Sequence, residues 1–358
     1  MTTAAETQEH GPNQPIIGGT TRISGADAPQ PPIAHLCGRR LIDLSDGRAT
    51  LAIPASPYFR GPKGRIDSGM LAFLADMAHF YAVLSTLPAG AACTTAELSI
   101  TFLGQPPDAG GELRASSEVV YADERNALAL AFVRDAQGRP VAHSSSRYFV
   151  FPAGTYTPRR SADASATGVP SSLPSPVSRT CESAFSPLDE HALQRVTGLE
   201  ILKAEHAGDR VSPPIDRITG IRLAHAGDGH VVFALPAHQW LRQENGTVFG
   251  GAIALLAKSA TAGAVQAAAG AGTGFRALDL KVNFLRPVDA DGTELRAEGK
   301  VRHRGRRLVI ADTTVTHGGR TVATATGTTA LTPLPSHDRR QQSRPNRAAA
   351  ALNKRSLQ

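Results

Sequence analysis

An internal duplication constrains this chain more than any other feature. "PPIAHLCGRRLIDLSDGRATLAIPASPYFRGPKG" (31–64) lies over "PPIDRITGIRLAHAGDGHVVFALPAHQWLRQENG" (213–246) without a gap, at an offset of 182 residues, with 13 identities in 34 positions. The same offset carries "AELSITFLG" (96–104) onto "LDLKVNFLR" (278–286) and "GELRASSEV" (111–119) onto "TELRAEGKV" (293–301). After one deletion, "GRPVAHS" (138–144) meets "GRTVATA" (319–325). A period this long means two copies of one domain rather than a solenoid of short units. A chain of 358 residues is long enough for each copy to bury its own core.

Both copies predict the same order of elements. A strand runs to an Asp-Gly turn (Asp46-Gly47, Asp228-Gly229) and a second strand returns from it to Pro54 or Pro236, because apolar alternation around D-G is a strong hairpin signal. A loop follows, then a helix of some 18 residues, about 69–87 and 251–269. Strands are expected at 94–103, 111–122, 127–135 and 140–151, with partners near 276–285, 293–304, 307–317 and 321–332. Both helices are apolar nearly all round, so both should be buried. One such helix beside five or six antiparallel strands is an α+β domain with the sheet wrapped over the helix.

Composition sets the boundaries. Residues 1–26 read as a disordered N-terminus, 27–152 as the first domain, 153–182 as a Pro/Ser/Ala-rich flexible linker, 183–334 as the second domain and 335–358 as a basic disordered tail. After the linker, "SPLDEHALQRV" (186–196) reads as a short extra helix with Ser186 as cap and Pro187 at the first position. The formal charge of +7 is mostly that tail, which carries a net +5, so a solubilising tail is favoured over a nucleic-acid or membrane arm. No signal peptide, transit sequence or membrane-spanning run is evident, and the expectation is a cytoplasmic protein without nucleic-acid or membrane partners. Cys37, Cys93 and Cys181 form no C-x-x-C pair, and the histidines show no metal spacing, so no metal or cofactor is expected.

In "VFGGAIALLAKSATAG" (248–263) one cation, Lys258, interrupts an apolar helix, although burying an unpaired ammonium is costly. The first copy has "IDSGMLAFLADMA" (66–78) there, so Asp76 is its counterpart and the charge is inverted. Small residues at both helix starts leave backbone N–H groups open to an oxygen that gains negative charge. Lys258 has bland readings too: its stem can carry the charge to the surface, or it can pair with Asp76 as a structural salt bridge.

The order G-x-x-H-G-G-x-x-x-x-L-x-[D/E], with a glutamine seven residues before the first glycine of the pair, resembles the hotdog-fold acyl-CoA thioesterases of the phenylacetate-degradation (PaaI) and 4-hydroxybenzoyl-CoA type. The second copy has Gln243, Gly246, Gly250, Gly251 and Leu256 in place, with Phe249 for the histidine and Lys258 for the acid. The first has Gly64, Gly69, Leu74 and Asp76, with Asp67 for the histidine, Ser68 for the first glycine and Gly61 for the glutamine. The resemblance covers both repeats and implies two tandem hotdog domains forming an intramolecular pseudo-dimer, each site taking its acid from one copy and its glutamine and oxyanion N–H from the other. One composite site then joins Asp76 to Gln243 and the Gly250 N–H. The other joins Lys258 to Gly61 and Ser68, and is expected to be degenerate, its position 258 free to change once one site sufficed.

The function so implied is hydrolysis of a small, medium-chain or aryl acyl-CoA, with Asp76 as nucleophile or general base and no cofactor. Gly251, Phe249 and Phe80 are substrate-side candidates; Phe80 stands where the family often has a hydroxyl residue. Arg304, Arg306 and Arg307 in "VRHRGRR" (301–307) are candidates for the coenzyme A phosphates, with a solvated hairpin as the bland alternative. His79, one turn after Asp76, is read as a core or surface histidine more readily than as its assistant. The competing function is a hotdog acyl-CoA-binding or assembly module that has lost its chemistry, while a dehydratase lacks its histidine-containing segment. No G-x-S-x-G elbow is present, and "GAGTGF" (270–275) follows a helix, the wrong context for a dinucleotide loop. Pairing of two such chains into a homodimer of pseudo-dimers is open.

Overall fold

A computed structural model of the chain describes residues 16–17, 21–22, 30–155, 185–244 and 246–334. Most of the expected N-terminal segment and linker, all of the basic tail, and Cys181 lie outside the described residues. In chain order a two-stranded ribbon, β1 (Ile16–Ile17) and β2 (Thr21–Arg22), precedes α1 (Pro32–Cys37), β3 (Arg40–Ser45), β4 (Arg48–Pro54), α2 (Ser68–Thr86), β5 (Ala92–Phe102), β6 (Glu112–Ala122), β7 (Asn126–Arg134) and β8 (Pro140–Phe151). The second half has α3 (Glu190–Arg195), α4 (Gly198–Ala207), α5 (Pro214–Thr219), β9 (Arg222–Gly227), β10 (His230–Pro236), α6 (Gly250–Ala268), β11 (Thr273–Ala277), β12 (Asp279–Phe284), β13 (Glu294–Arg304), β14 (Leu308–His317) and β15 (Arg320–Pro333).

The hairpin turns fall where the Asp-Gly pairs put them. Gly47 (φ 74°) and Gly229 (φ 61°) take the left-handed conformation a two-residue turn requires, and Ser45 faces Arg48 as Gly227 faces His230. The "PPI" segments, given no element by the sequence pattern, form the short helices α1 and α5. Pro32 and Pro214 sit within the first turn, where a missing N–H costs little, and Gly38 and Gly220 end the helices at positive φ. The expected Ser186–Pro187 helix start is also displaced: α3 begins at Glu190, with Asp189 accepting the Ala192 N–H at 2.7 Å. Helix α4 starts at a capping box, Thr197 with Glu200.

All strands except the ribbon join one 13-stranded sheet in the order β3-β4-β6-β7-β8-β5-β12-β15-β14-β13-β10-β9, with β11 also paired to β15. The two halves meet edge to edge where β5 and β12 run antiparallel, Leu98 opposite Val282 and Ile100 opposite Leu280. The strand expected at 276–285 is split at Leu278, whose N–H donates to Thr328 O while its carbonyl accepts the Phe102 N–H, both at 2.8 Å. Past that residue β12 keeps β15 as one neighbour and takes β5 of the first repeat as the other.

Helices α2 and α6 lie side by side within this sheet, and glycines set their approach symmetrically. A methyl group at Gly69 would lie 2.3 Å from Leu255 Cδ1, and one at Gly251 would lie 2.9 Å from Phe73 Cα. Gly69 and Gly251 are equivalent under the 182-residue offset, as are Phe73 and Leu255. By length and composition α2 could cross a membrane, contrary to the expectation that no segment would, but 83% of its apolar window is buried in this core.

Candidate active site

Asp76 projects from the third turn of α2 and is 1% exposed. Thr95 Oγ1 on β5 donates to its Oδ1 at 3.2 Å, and Tyr148 OH on β8 reaches both its carbonyl (3.3 Å) and Oδ1 (3.5 Å). From the other repeat, the Gly251 N–H at the start of α6 donates to the same carboxyl. A methyl group at Gly250 would come within 2.9 Å of Asp76 Oδ2. The carboxyl therefore lies against the positive end of a helix from the opposite copy, a helix with no side-chain cap of its own at Phe249. Burial dominates its ionisation: removal from water raises its pKa from the ordinary 3.8 to about 7, against the lowering pull of Thr95, Tyr148 and Gly251.

Gln243 lies in the loop before α6, where its Nε2 donates to Thr247 Oγ1 at 3.0 Å; no recorded hydrogen bond joins it to Asp76. Its neighbour Glu244 crosses to the first repeat, where it pairs with Arg39 at 3.0 Å and accepts from Tyr81 OH, so this loop is fastened to α2. Phe249 is 3% exposed and packs edge-on against Phe73 with centroids 4.9 Å apart, a core contact between the helices rather than a substrate wall. Phe80 is half-buried and packs edge-on against Tyr81. His79 is fully buried between Ser117 Oγ (2.9 Å) and Ser144 Oγ (2.8 Å), and burial lowers its pKa to about 3, the structural histidine expected.

Arg304, Arg306 and Arg307 are exposed, but the structure does not bring them to Asp76. Phe284, which packs beside Gly250, pairs with Ala323 on β15, whereas the arginine hairpin enters β14 at Leu308 opposite Ala330. Seven residues of extended strand separate those points by about 23 Å. The three arginines lie in the expected strand-turn-strand, at the other end of β15 from the start of α6.

At the other junction Lys258 does not pair with Asp76 or run out to solvent. It bonds Asp67 Oδ2 at 2.6 Å, with the two side chains 12% and 5% exposed, while Asp67 Oδ1 accepts the Gly69 N–H at 2.7 Å. Gly69 and Gly251 thus both give their N–H to a carboxylate, one to the residue capping its own helix and one to an acid from across the junction. Position 258 is compensated rather than merely released, because Asp67 takes the place of the missing acid at the helix start. A cavity of about 510 Å³ opens at this second junction, lined by Lys258, Ser68 and Gly61 among others. Thr95, Tyr148 and Asp67 were the contacts sequence reasoning missed; only Asp67, as a cap residue before a helix, carried a readable signal.

The thioesterase superfamily model matches residues 245–325, the second repeat from α6 into β15. Among solved structures, the chain is similar to a protein from Novosphingobium aromaticivorans described as a "putative thioesterase", at 16% identity over 83% of this chain and 98% of that one, TM-score 0.50. It is also similar to a tesB protein from Mycobacterium avium subs paratuberculosis, at 14% identity over 84% of this chain and 98% of that one, TM-score 0.51. The phenylacetic acid degradation protein PaaI from Thermus thermophilus matches at 27% identity over 33% of this chain and 97% of that one, TM-score 0.31. No curated protein matches the chain.

Proposed function

We propose that this chain, a tandem hotdog protein of the thioesterase superfamily, is a thioester hydrolase that cleaves acyl-CoA at the junction where Asp76 of the first repeat meets the α6 start of the second. The observation that carries this reading is the seating of the Asp76 carboxyl against Gly250 and Gly251 of the opposite copy. An acid with a pKa of about 7 is ionised in about half of the molecules at neutral pH, which suits a base or nucleophile that must change protonation during turnover.

The chemistry follows from the positions. The ionised Asp76 either attacks the thioester carbonyl carbon, expelling the coenzyme A thiolate and leaving an anhydride that water opens, or takes a proton from the water that attacks. In both routes the carbonyl oxygen gains negative charge, and the Gly250 N–H at the start of α6 stabilises it while the Gly251 N–H holds Asp76. Thr95 and Tyr148 hold the carboxyl in place, and Gln243 is positioned by Thr247 in the loop beside the helix start. Small, medium-chain and aryl acyl groups remain the substrate class.

The test is release of free coenzyme A thiol from short, medium, long and aryl acyl-CoAs. Hydrolysis that collapses in Asp76→Asn and survives in Lys258→Ala supports the single composite site. Acyl-CoA binding without cleavage in the wild type overturns it.

A further inference from the structure

The two junctions of this pseudo-dimer serve as each other's control. On α2 the positions facing the far half of the Asp76 junction are Phe80, Tyr81 and Leu84; their equivalents on α6 are Ala262, Gly263 and Gln266. Two aromatic rings are absent from the second junction, and the 510 Å³ cavity lies along those very residues, from Lys258 to Gln266. Eight helical residues make that wall about 12 Å long. Phe102, Phe233, Phe275 and Leu202 supply apolar sides.

The same comparison isolates two polar changes. Asp216 stands where the first repeat has the buried Ala34, and Gln266 where it has Leu84. Asp216 is 6% exposed and Gln266 5%, and both line the cavity. Among the described residues no hydrogen bond or ion pair reaches either side chain. Both side chains present their polar atoms to the cavity, where a bound group with matching donors or acceptors meets them.

Charge selects the kind of group. Lys258 is already matched by Asp67 at 2.6 Å. Glu205 on α4 faces Asp216 as a further acid, held by Ser212 and partly offset by Arg210. Nearer the mouth, Lys63 stacks 4.0 Å above the Phe275 ring, and Arg65 bonds Pro106 O and Asp108. Arg276, Asp189 and Glu190 complete the charged lining. The interior therefore holds more carboxyls than cations, and the carboxyls of Glu205 and Asp67 add to burial in pushing the Asp216 pKa well up.

We propose that this cavity binds a small organic ammonium ion with an aromatic or alkyl body, its ammonium hydrogen-bonded to Asp216 and its far end to the Gln266 amide. The site is separate from the Asp76 junction and does not depend on thioester hydrolysis there. The ammonium favours the ionised form of the Asp216 carboxyl.

Calorimetric titration with tyramine, 2-(4-hydroxyphenyl)ethanol and 3-(4-hydroxyphenyl)propionate at pH 7 tests this, the phenol hydroxyl supplying the far-end group for the Gln266 amide. The amine should bind one site. Asp216→Asn should weaken it about tenfold or more, the range of a charge-assisted hydrogen bond. Ala262→Phe, which gives α6 the first repeat's residue, should abolish binding, and Gln266→Leu should weaken it; both report independently if Asp216→Asn fails to fold. An alcohol or carboxylate that binds as well as the amine, an amine affinity unchanged in these variants, or no amine binding overturns the proposal. Hydrolysis read through Asp76→Asn stands or falls separately.

Discussion

Asp67 and Lys258 form an ion pair across the two repeats at 2.6 Å, and the same Asp67 carboxyl caps the first repeat's central helix through the Gly69 N–H. One side chain thus joins a helix start to the neighbouring helix. Removing Lys258 leaves a buried acid with only its cap bond. Lys258→Ala should lower stability by about 3 kcal/mol, the scale for breaking one partner of a buried pair. In Asp67→Asn the amide still caps Gly69, and a further Lys258→Met removes the ammonium left unpaired, so that double variant should recover much of the loss. A denaturant-unfolding cycle checks this, and additive losses would show that the pair is not coupled.

Asp76 gives a prediction in which activity and stability move in opposite directions. Its pKa of about 7 exceeds the 3.8 of an ordinary aspartate, so between those values the unfolded chain is ionised while the folded chain keeps the proton. Stability therefore falls as pH rises through that window, and the penalty is complete above pH 7. Asp76→Asn removes it and should be more stable than wild type by a few kcal/mol at pH 8, with little difference near pH 4. Hydrolysis by the wild type should rise with pH through about 7, and the asparagine variant should lose about a hundredfold or more. Thermal unfolding at the two pH values, set beside a pH-rate profile, measures both.

The fold was legible because duplication let each copy correct the other: the Asp-Gly turns, both long helices and most strands recur at one offset. What escaped were features with no periodicity. The proline-led α1 and α5 are only six residues each, too short for a helical pattern to emerge. The pairing of Asp76 with the opposite helix start was implied by the family resemblance that the glycines at 250 and 251 helped to carry, whereas Thr95 and Tyr148 lie on strands 19 and 72 residues away and no local signal connects them. The choice of Asp67 as the partner of Lys258 depends on how the helices cross, which only packing decides.

That crossing rests on two equivalent glycines whose neighbours differ. A methyl group at Gly251 would meet the backbone Cα of Phe73 at 2.9 Å and the Phe249 ring at 2.4 Å. At Gly69 the nearest atom, at 2.3 Å, is the mobile end of Leu255, and the nearest opposing backbone is 3.3 Å away. Gly251→Ala should therefore cost about 1–3 kcal/mol from overpacking, and Gly69→Ala distinctly less. Equal losses in chemical denaturation would mean that the helices slide apart together rather than clash at one point.

His79 supplies the acid limit of the fold. It sits neutral between Ser117 and Ser144, and burial holds its pKa near 3 against an ordinary 6.5. Below pH 6.5 the unfolded chain binds a proton that the folded chain refuses, so stability falls as pH drops from 6.5 toward 3. The slope from this one group is about 1.4 kcal/mol per pH unit once the unfolded histidine is fully protonated. His79→Gln keeps hydrogen-bonding capacity without a titrating ring. Its unfolding free energy should be lower than wild type at pH 7, where a shorter side chain bridges the two serines less well, yet it should decline less steeply between pH 6 and 4. Parallel pH curves for the two proteins would place the acid sensitivity elsewhere in the molecule.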